Sequence, residues 1–190
     1  IKYLMVGDDF KFGKERSGDF DFLSDWGSNN QIEVDRIPTH SFEGRRVSST
    51  WIRESIADGN FDLAAKLLDR RYTFSGKVVF GNKVGRTIGV PTANIWVPKS
   101  NLPIKGVYAV KALVKGETFN GIANMGVRPT VGGTSPVLEI HIFDFNEEIY
   151  GCRIEVEFYQ KIRNEKKFDN LDKLKEQINL DIAETRKYFS

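Results

Sequence analysis

From Tyr72 onward the chain passes through one β-rich segment after another with no helix between them, and this constrains the fold more than any other feature. The segments are Tyr72 to Val79, a short piece around Ile95 to Val97, Gly106 to Val114, Phe119 to Met125, Val137 to Phe145 and Arg153 to Ile162. Gly, Pro and Asn punctuate them, with Lys115-Gly116 predicted as a hairpin turn and Asn146-Glu147 as another. Antiparallel strands at this spacing predict a mainly β fold, a small closed barrel of Greek-key-like type. A helix follows from about Asn170, where Leu171, Leu174, Ile178 and Ile182 recur at helical intervals. Asp169 or Asn170 is placed to cap it, and Phe168 and Phe189 to pin its ends to the barrel.

The first 70 residues have a different character. Ile1 to Gly7 has the pattern of a buried strand running into a glycine turn, and Ile32 to Ile37 gives a second short strand. Between them, Asp8 to Asn30 is rich in Gly, Asp, Ser and Lys and is expected to be a long loop with isolated helical turns. A helix start follows at Val47 to Glu54, with Ser49 or Thr50 as cap. Another helix covers Asn60 to Arg70, with Phe61, Leu63, Ala64, Leu67 and Leu68 on one side. This order is the closing part of an α/β unit, so the expected division is 1–70 and 71–190. A buried parallel strand at the first residue predicts neighbouring strands upstream in a longer protein.

Bulk properties narrow the class. The chain has 190 residues, 40% hydrophobic and 28% charged, with a formal net charge of +2, so neither a nucleic acid nor a membrane surface is required as partner. The basic runs Lys161-Ile162-Arg163 and Lys166-Lys167 are short enough to be solvated faces. One cysteine, Cys152, forms no internal disulfide and no zinc set, and polar residues interrupt every apolar stretch. A cytoplasmic location is the expectation.

The stretch from Gly81 to Asn94 carries the chemistry. Glycines at 81, 85 and 89 allow the backbone to approach a ligand and turn successive amides toward one point, an anion nest. Arg86 or Lys83 would supply positive charge. The loop follows a strand and is not expected to open a helix, because Val90 precedes a proline; it is therefore neither a Walker A loop nor a dinucleotide fingerprint. The alternative, taking these residues alone, is a glycine-rich barrel turn. Thr92 and Asn94 shift the reading, since residues two apart in extended chain share a face. A hydroxyl and an amide oxygen beside an anion nest suit magnesium carried by a polyphosphate.

On the strand Val137 to Asp144, Leu138, Ile140 and Ile142 form the core face, which leaves Glu139, His141 and Phe143 on the other. Glu139, fixed on a rigid strand and flanked by apolar groups, has the setting of a general base, against the alternative of a solvated strand glutamate. His141 is a partner for it or a structural imidazole. The segment Gly121 to Thr130 is expected to be a tight turn anchored by Arg128, or else a ligand-contacting loop.

Together these stretches resemble a known family. GRTIGVPTANI (Gly85 to Ile95), GVYAV (Gly106 to Val110), GIANMGVRPT (Gly121 to Thr130), LEIHIFDF (Leu138 to Phe145) with IYG (Ile149 to Gly151), and KIRNEKKF (Lys161 to Phe168) resemble the riboflavin kinase module in order and spacing. Upstream, VGDDFKFGKERSGD (Val6 to Asp19) and VSSTWIR (Val47 to Arg53) resemble the end of the FMN adenylyltransferase domain of bacterial bifunctional FAD synthetases. The resemblance implies riboflavin and ATP as substrates, FMN and ADP as products, and magnesium as cofactor. It implies Gly81, Gly85, Arg86 and Gly89 over the ATP phosphates, Thr92 and Asn94 at the metal, and Glu139 as base for the 5′-hydroxyl. Asn124, Arg128 and Arg163 would be further ligand contacts. Ser48, Ser49, Thr50 and Arg53 would form the phosphate site of an adenylyltransferase remnant. That family's His-x-Gly-His motif is absent, His40 and His141 being the histidines, so FMN adenylylation is expected of a longer parent and not of this chain. The alternative is a flavin-binding barrel without catalysis.

Overall fold

In the computed structural model of the chain, residues 1–81, 84–98, 102–130 and 133–190 are described, the side chains of 84, 128–130 and 133–135 excepted. Lys83 thus lies outside the described residues, as does the side chain of Arg128. The chain divides into two compact units, Ile1–Ser48 and Ser49–Ser190.

In the first unit, β1 (Tyr3–Gly7) and β2 (Glu33–Ile37) pair in parallel, with Tyr3 opposite Glu33 and Gly7 opposite Ile37. The connection between them holds a 3-10 turn at Lys14–Arg16 and a full helix, α1 (Phe20–Asn29). Composition made this stretch look like loop. Asp19 overrides that by accepting a bond from Phe22 N at 3.1 Å, a side-chain cap that starts the helix. The helix lies close on the sheet because Gly27 has no side chain: a Cβ there would come within 2.6 Å of the Ile32 carbonyl oxygen and Val34 Cγ2. A small hairpin, β3 (Ser41–Phe42) with β4 (Arg45–Arg46), ends the unit. Its turn residues Glu43 and Gly44 both have positive φ, 50° and 76°.

The second unit opens with α2 (Ser49–Ala57) and α3 (Phe61–Leu68), the latter capped by Asn60, whose Oδ1 accepts from Leu63 N at 3.1 Å. Six strands follow: β5 (Thr73–Val79), β6 (Ala93–Trp96), β7 (Gly106–Val114), β8 (Glu117–Thr130), β9 (Gly133–Ile142) and β10 (Arg153–Arg163). A single helical turn, α4 (Val84–Thr87), stands between β5 and β6, and α5 (Leu171–Phe189) closes the chain. The strands form a closed barrel in the order β10-β5-β6-β9-β8-β7, antiparallel throughout. Because β10 bonds to both β5 and β7, no edge is left open.

The barrel interior is packed with Val78, Ile95, Val110, Leu138, Ile140, Ile154, Val156 and Phe158, each at most 2% exposed. Ile56 of α2 and Phe61 and Ala64 of α3 belong to the same core. The two helices that sequence order joined to the α/β segment therefore pack with the barrel, because their apolar stripes find cover there. A separate outer patch, Val107, Ile122 and Phe143, is covered by Ile182 of α5 and by Ile162.

Three local expectations change. The glycine loop does open a helical turn, α4, which ends before Gly89 at φ +82°. Gly121 to Thr130 is not a turn: β8 runs through it, paired with β9 along its length. Asn146-Glu147 is not a hairpin turn, since β9 pairs with β6 and β8 and residues 143–152 cross to a different part of the barrel. Lys115-Gly116 is a hairpin turn, with φ of 50° and 92°.

Candidate functional site

Strand register sets the centre of the site. Asn94 on β6 stands opposite Glu139 on β9, and Glu139 stands opposite Asn124 on β8. In an antiparallel sheet such residues share a face, so two amides flank one carboxylate in a single row. Ile140, next along β9, points into the core at 0% exposure, which leaves this row on the barrel's outer surface.

The glycine loop is fitted over that surface at two points. A Cβ on Gly81 would collide with the Asn94 side-chain amide, coming within 2.6 Å of its Oδ1. A Cβ on Gly85 would collide with the Val90 carbonyl oxygen and stand 3.2 Å from Thr92 Oγ1. Val90 N donates to Gly85 O at 2.8 Å, which folds the loop back on itself. Two glycines four residues apart thus seat one on Asn94 and one on Thr92, a reason for the spacing beyond flexibility. Arg86 is exposed beside the loop.

Asn94 is 5% exposed, and its Oδ1 is buried without a hydrogen-bond partner among the described residues. A buried acceptor left unpaired costs about 1–3 kcal/mol, so the oxygen suits an electropositive ligand. Among the described residues no group of three or more His, Cys, Asp or Glu could hold a metal ion. A cation at this loop would draw on neutral oxygens of the Thr92 and Asn94 type and on its own phosphate and water ligands.

Beside the row lies a cavity of ≈ 330 Å³. Its floor is the outer barrel face, with Val107, Ile122, Asn124, Glu139 and His141. Gly85, Ile88 and Thr92 of the loop form one wall, Leu174, Ile178 and Asp181 of α5 another, and Arg163 and Phe168 a third. A smaller cavity of ≈ 150 Å³ holds Arg86, Pro91, Glu148 and Tyr150. Thr92 lines both and so stands at their junction.

Ion pairs fix the α5 wall. Arg163 Nε donates to Asp181 Oδ2 at 2.9 Å and Nη2 lies 2.8 Å from the same oxygen, while Gln177 Nε2 donates to Oδ1 at 2.9 Å. Asp181 is 3% exposed. Near the other end of α5, Arg186 makes paired 3.0 Å bonds to both oxygens of Asp144. That guanidinium holds the Asp144 carboxyl below its usual range. The helix cap is Asn170, accepting from Lys173 N at 2.9 Å. Phe189 meets Tyr159 edge-on at 5.5 Å, and the Arg163 guanidinium lies 5.7 Å from the centre of the Phe168 ring.

The structure thus brings together Gly81, Gly85, Thr92, Asn94, Asn124 and Glu139 at one face. Arg163 reaches the cavity with its guanidinium engaged by Asp181. Ser49, Thr50 and Arg53 lie in the first turns of α2, and Ser48 ends the preceding unit. Sequence reading missed Asp181, although a signal exists: it falls seven residues after Leu174 and beside Ile182, an acid on an apolar stripe.

Comparison with known proteins finds two families along the chain. The sequence profile of the riboflavin kinase family matches residues 68–189, and that of FAD synthetase matches residues 1–51. The chain is 48% identical along its full length to the bifunctional riboflavin kinase/FMN adenylyltransferase of Haemophilus influenzae, covering 62% of that protein. It is 45% identical to the protein of the same name from Escherichia coli (strain K12), covering 61%. The chain therefore spans about three fifths of the length of these curated relatives. A crystal structure described as a macrolide-efflux protein from Streptococcus pneumoniae superposes with a TM-score of 0.77 at 36% identity, over 95% of this chain and 60% of that one. Among the described residues no helix is long and apolar enough to cross a membrane. The glycine loop, the Asn94–Glu139–Asn124 row and the helical wall all fall inside the kinase profile, and the chain belongs to the riboflavin kinase family.

Proposed function

We propose that this chain transfers the γ-phosphoryl group of ATP to the 5′-hydroxyl of riboflavin, giving FMN and ADP. The observation that carries the reading is the row in which Glu139 stands between two amides, one with a buried oxygen that has no partner among the described residues, beside a mostly apolar cavity that Glu139 and Asn124 line. A cavity of ≈ 330 Å³ lined by Val107, Ile122, Phe168, Leu174 and Ile178 suits a flat aromatic ring system. The smaller cavity beyond Thr92, with exposed Arg86, suits the nucleotide.

Glu139 accepts the proton of the 5′-hydroxyl as its oxygen attacks the γ-phosphorus. The bond from that phosphorus to the β-γ bridging oxygen breaks, and ADP leaves. Phosphoryl transfer depends mostly on alignment and charge neutralisation, so a base on a rigid strand and a loop closed on glycines meet the requirement. Thr92 Oγ1 and Asn94 Oδ1 would hold magnesium, which when bound neutralises phosphate charge. Gly81, Gly85 and Gly89 let backbone amides approach the phosphates, Arg86 adds charge, and Asn124, Arg128 and Arg163 are proposed ligand contacts. For the whole protein we propose FMN adenylylation as a second activity, with Ser48, Ser49, Thr50 and Arg53 at its phosphate site. We also propose a cytoplasmic location, and riboflavin, FMN, ATP and ADP as its partners.

The test is turnover with riboflavin and magnesium ATP, separating riboflavin, FMN and FAD by chromatography, beside Glu139→Gln. FMN formation falling at least about a hundredfold in the variant, as for a lost general base, is the expected result. A folded wild-type chain that makes no FMN sinks the assignment and favours a flavin-binding barrel.

A further inference from the structure

We propose that His141 is a positioning residue for nucleotide binding, holding the Thr92 hydroxyl in place through the Pro91 carbonyl; this rests on the kinase reading above. β6 and β9 pair from Trp96 opposite Val137 to Ala93 opposite Ile140. The ladder stops one residue before Thr92, and Pro91 has no N–H with which to extend it. The Pro91 carbonyl is engaged instead by the imidazole, whose Nδ1 lies 2.8 Å from Pro91 O. A carbonyl oxygen only accepts, so Nδ1 carries the hydrogen and donates it to Pro91 O.

The segment is also held from its other side. Gly85 seats against Thr92, and its carbonyl takes the Val90 N–H at 2.8 Å. The imidazole is itself braced edge-on by Phe143, with ring centres 5.6 Å apart at 65°, and Phe143 is 4% exposed. Pro91 and Thr92 are therefore clamped between a braced imidazole and a glycine. Thr92 is the residue that borders both cavities, where the nucleotide phosphates would meet the acceptor hydroxyl. Releasing the imidazole clamp frees Thr92 to rotate while leaving the opposite wall, α5 with Asp181 and Arg163, in place.

Two variants separate this role from a structural one. His141→Phe keeps a ring against Phe143 and removes the donor. His141→Asn places an amide nitrogen near the position of Nδ1 and restores it. Calorimetric titration with magnesium ADP is the readout, with thermal melts alongside. The expected result is a roughly two- to tenfold weaker magnesium ADP affinity in His141→Phe, the loss of about one net hydrogen bond. His141→Asn should recover most of the loss. An unchanged nucleotide affinity in His141→Phe, or no recovery in His141→Asn, overturns the proposal. If the wild type binds magnesium ADP yet makes no FMN, the kinase reading falls while the titrations still decide on His141. If it binds no magnesium ADP, this proposal falls as well.

Discussion

Phe61 offers the sharpest test of how the second unit is built. It is 1% exposed on α3, stacked against Phe158 at 5.8 Å, edge-on to Tyr108 at 5.6 Å and tilted to Tyr72 at 6.4 Å. Phe61→Ala removes the ring from three aromatic partners that are themselves fixed, Tyr108 by a reciprocal pair of 2.8 Å bonds with the Lys105 backbone. The site has little freedom to collapse, so the cost belongs in the upper part of the range of 3–5 kcal/mol for such truncations, about 4 kcal/mol. For a unit of this size that corresponds to a melting point lower by roughly 12 °C. Urea and thermal unfolding followed by circular dichroism and tryptophan fluorescence would measure it, since Trp51 and Trp96 lie in this unit and Trp26 in the other. The midpoint should fall with the urea slope unchanged. A loss below about 1 kcal/mol, against the expected range, would refute the claim that α3 shares the barrel core. So would a loss confined to a transition that leaves the barrel intact.

Two further outcomes are expected. Gly81→Ala should leave the melting point within a few degrees, because the loop can lift, but should lower magnesium ADP affinity and turnover, since the new methyl collides with the Asn94 amide; normal nucleotide binding would refute the seating of the loop on Asn94. Burial, together with the Tyr159 hydroxyl's bond to Glu157 and that residue's charge, pushes the Tyr159 phenol up from 10.0 to about 12. The folded state thus favours the neutral phenol, and its stability contribution is full below pH 10 and lost as the pH rises toward about 12. Tyr159→Phe should flatten that alkaline decline and remove the latest-titrating tyrosinate absorbance; an unchanged decline would refute it.

The strands were legible because their alternation is a local property: Leu138, Ile140 and Ile142 announce the core side of β9 and so put Glu139 outside. The glycine loop was legible as an anion site, but not its contact with Asn94, which depends on register between β6 and β5. Asn146-Glu147 misled because turn composition says where a chain bends and not which strands then pair. α1 was hidden by the Gly, Asp and Ser around it, though Asp19 is a recognisable cap before Phe20, Phe22 and Leu23. Arg163 was visible as a cation near the end of β10. Its engagement by Asp181 is a tertiary fact between residues 18 apart, which no local pattern encodes.

The place of α2 has a consequence for how such chains can be recombined. The FAD synthetase profile ends at residue 51, inside a helix that runs from Ser49 to Ala57 and sends Ile56 into the barrel core. The unit of inheritance and the unit of folding therefore overlap by a helical turn. A gene fusion or fission cut at residue 68, where the kinase profile starts, would leave a barrel without Ile56, Phe61 and Ala64. A viable junction has to fall before Ser49, so descent of the kinase as a free-standing enzyme would require it to carry α2 and α3 along or to evolve another plug for that end of the core.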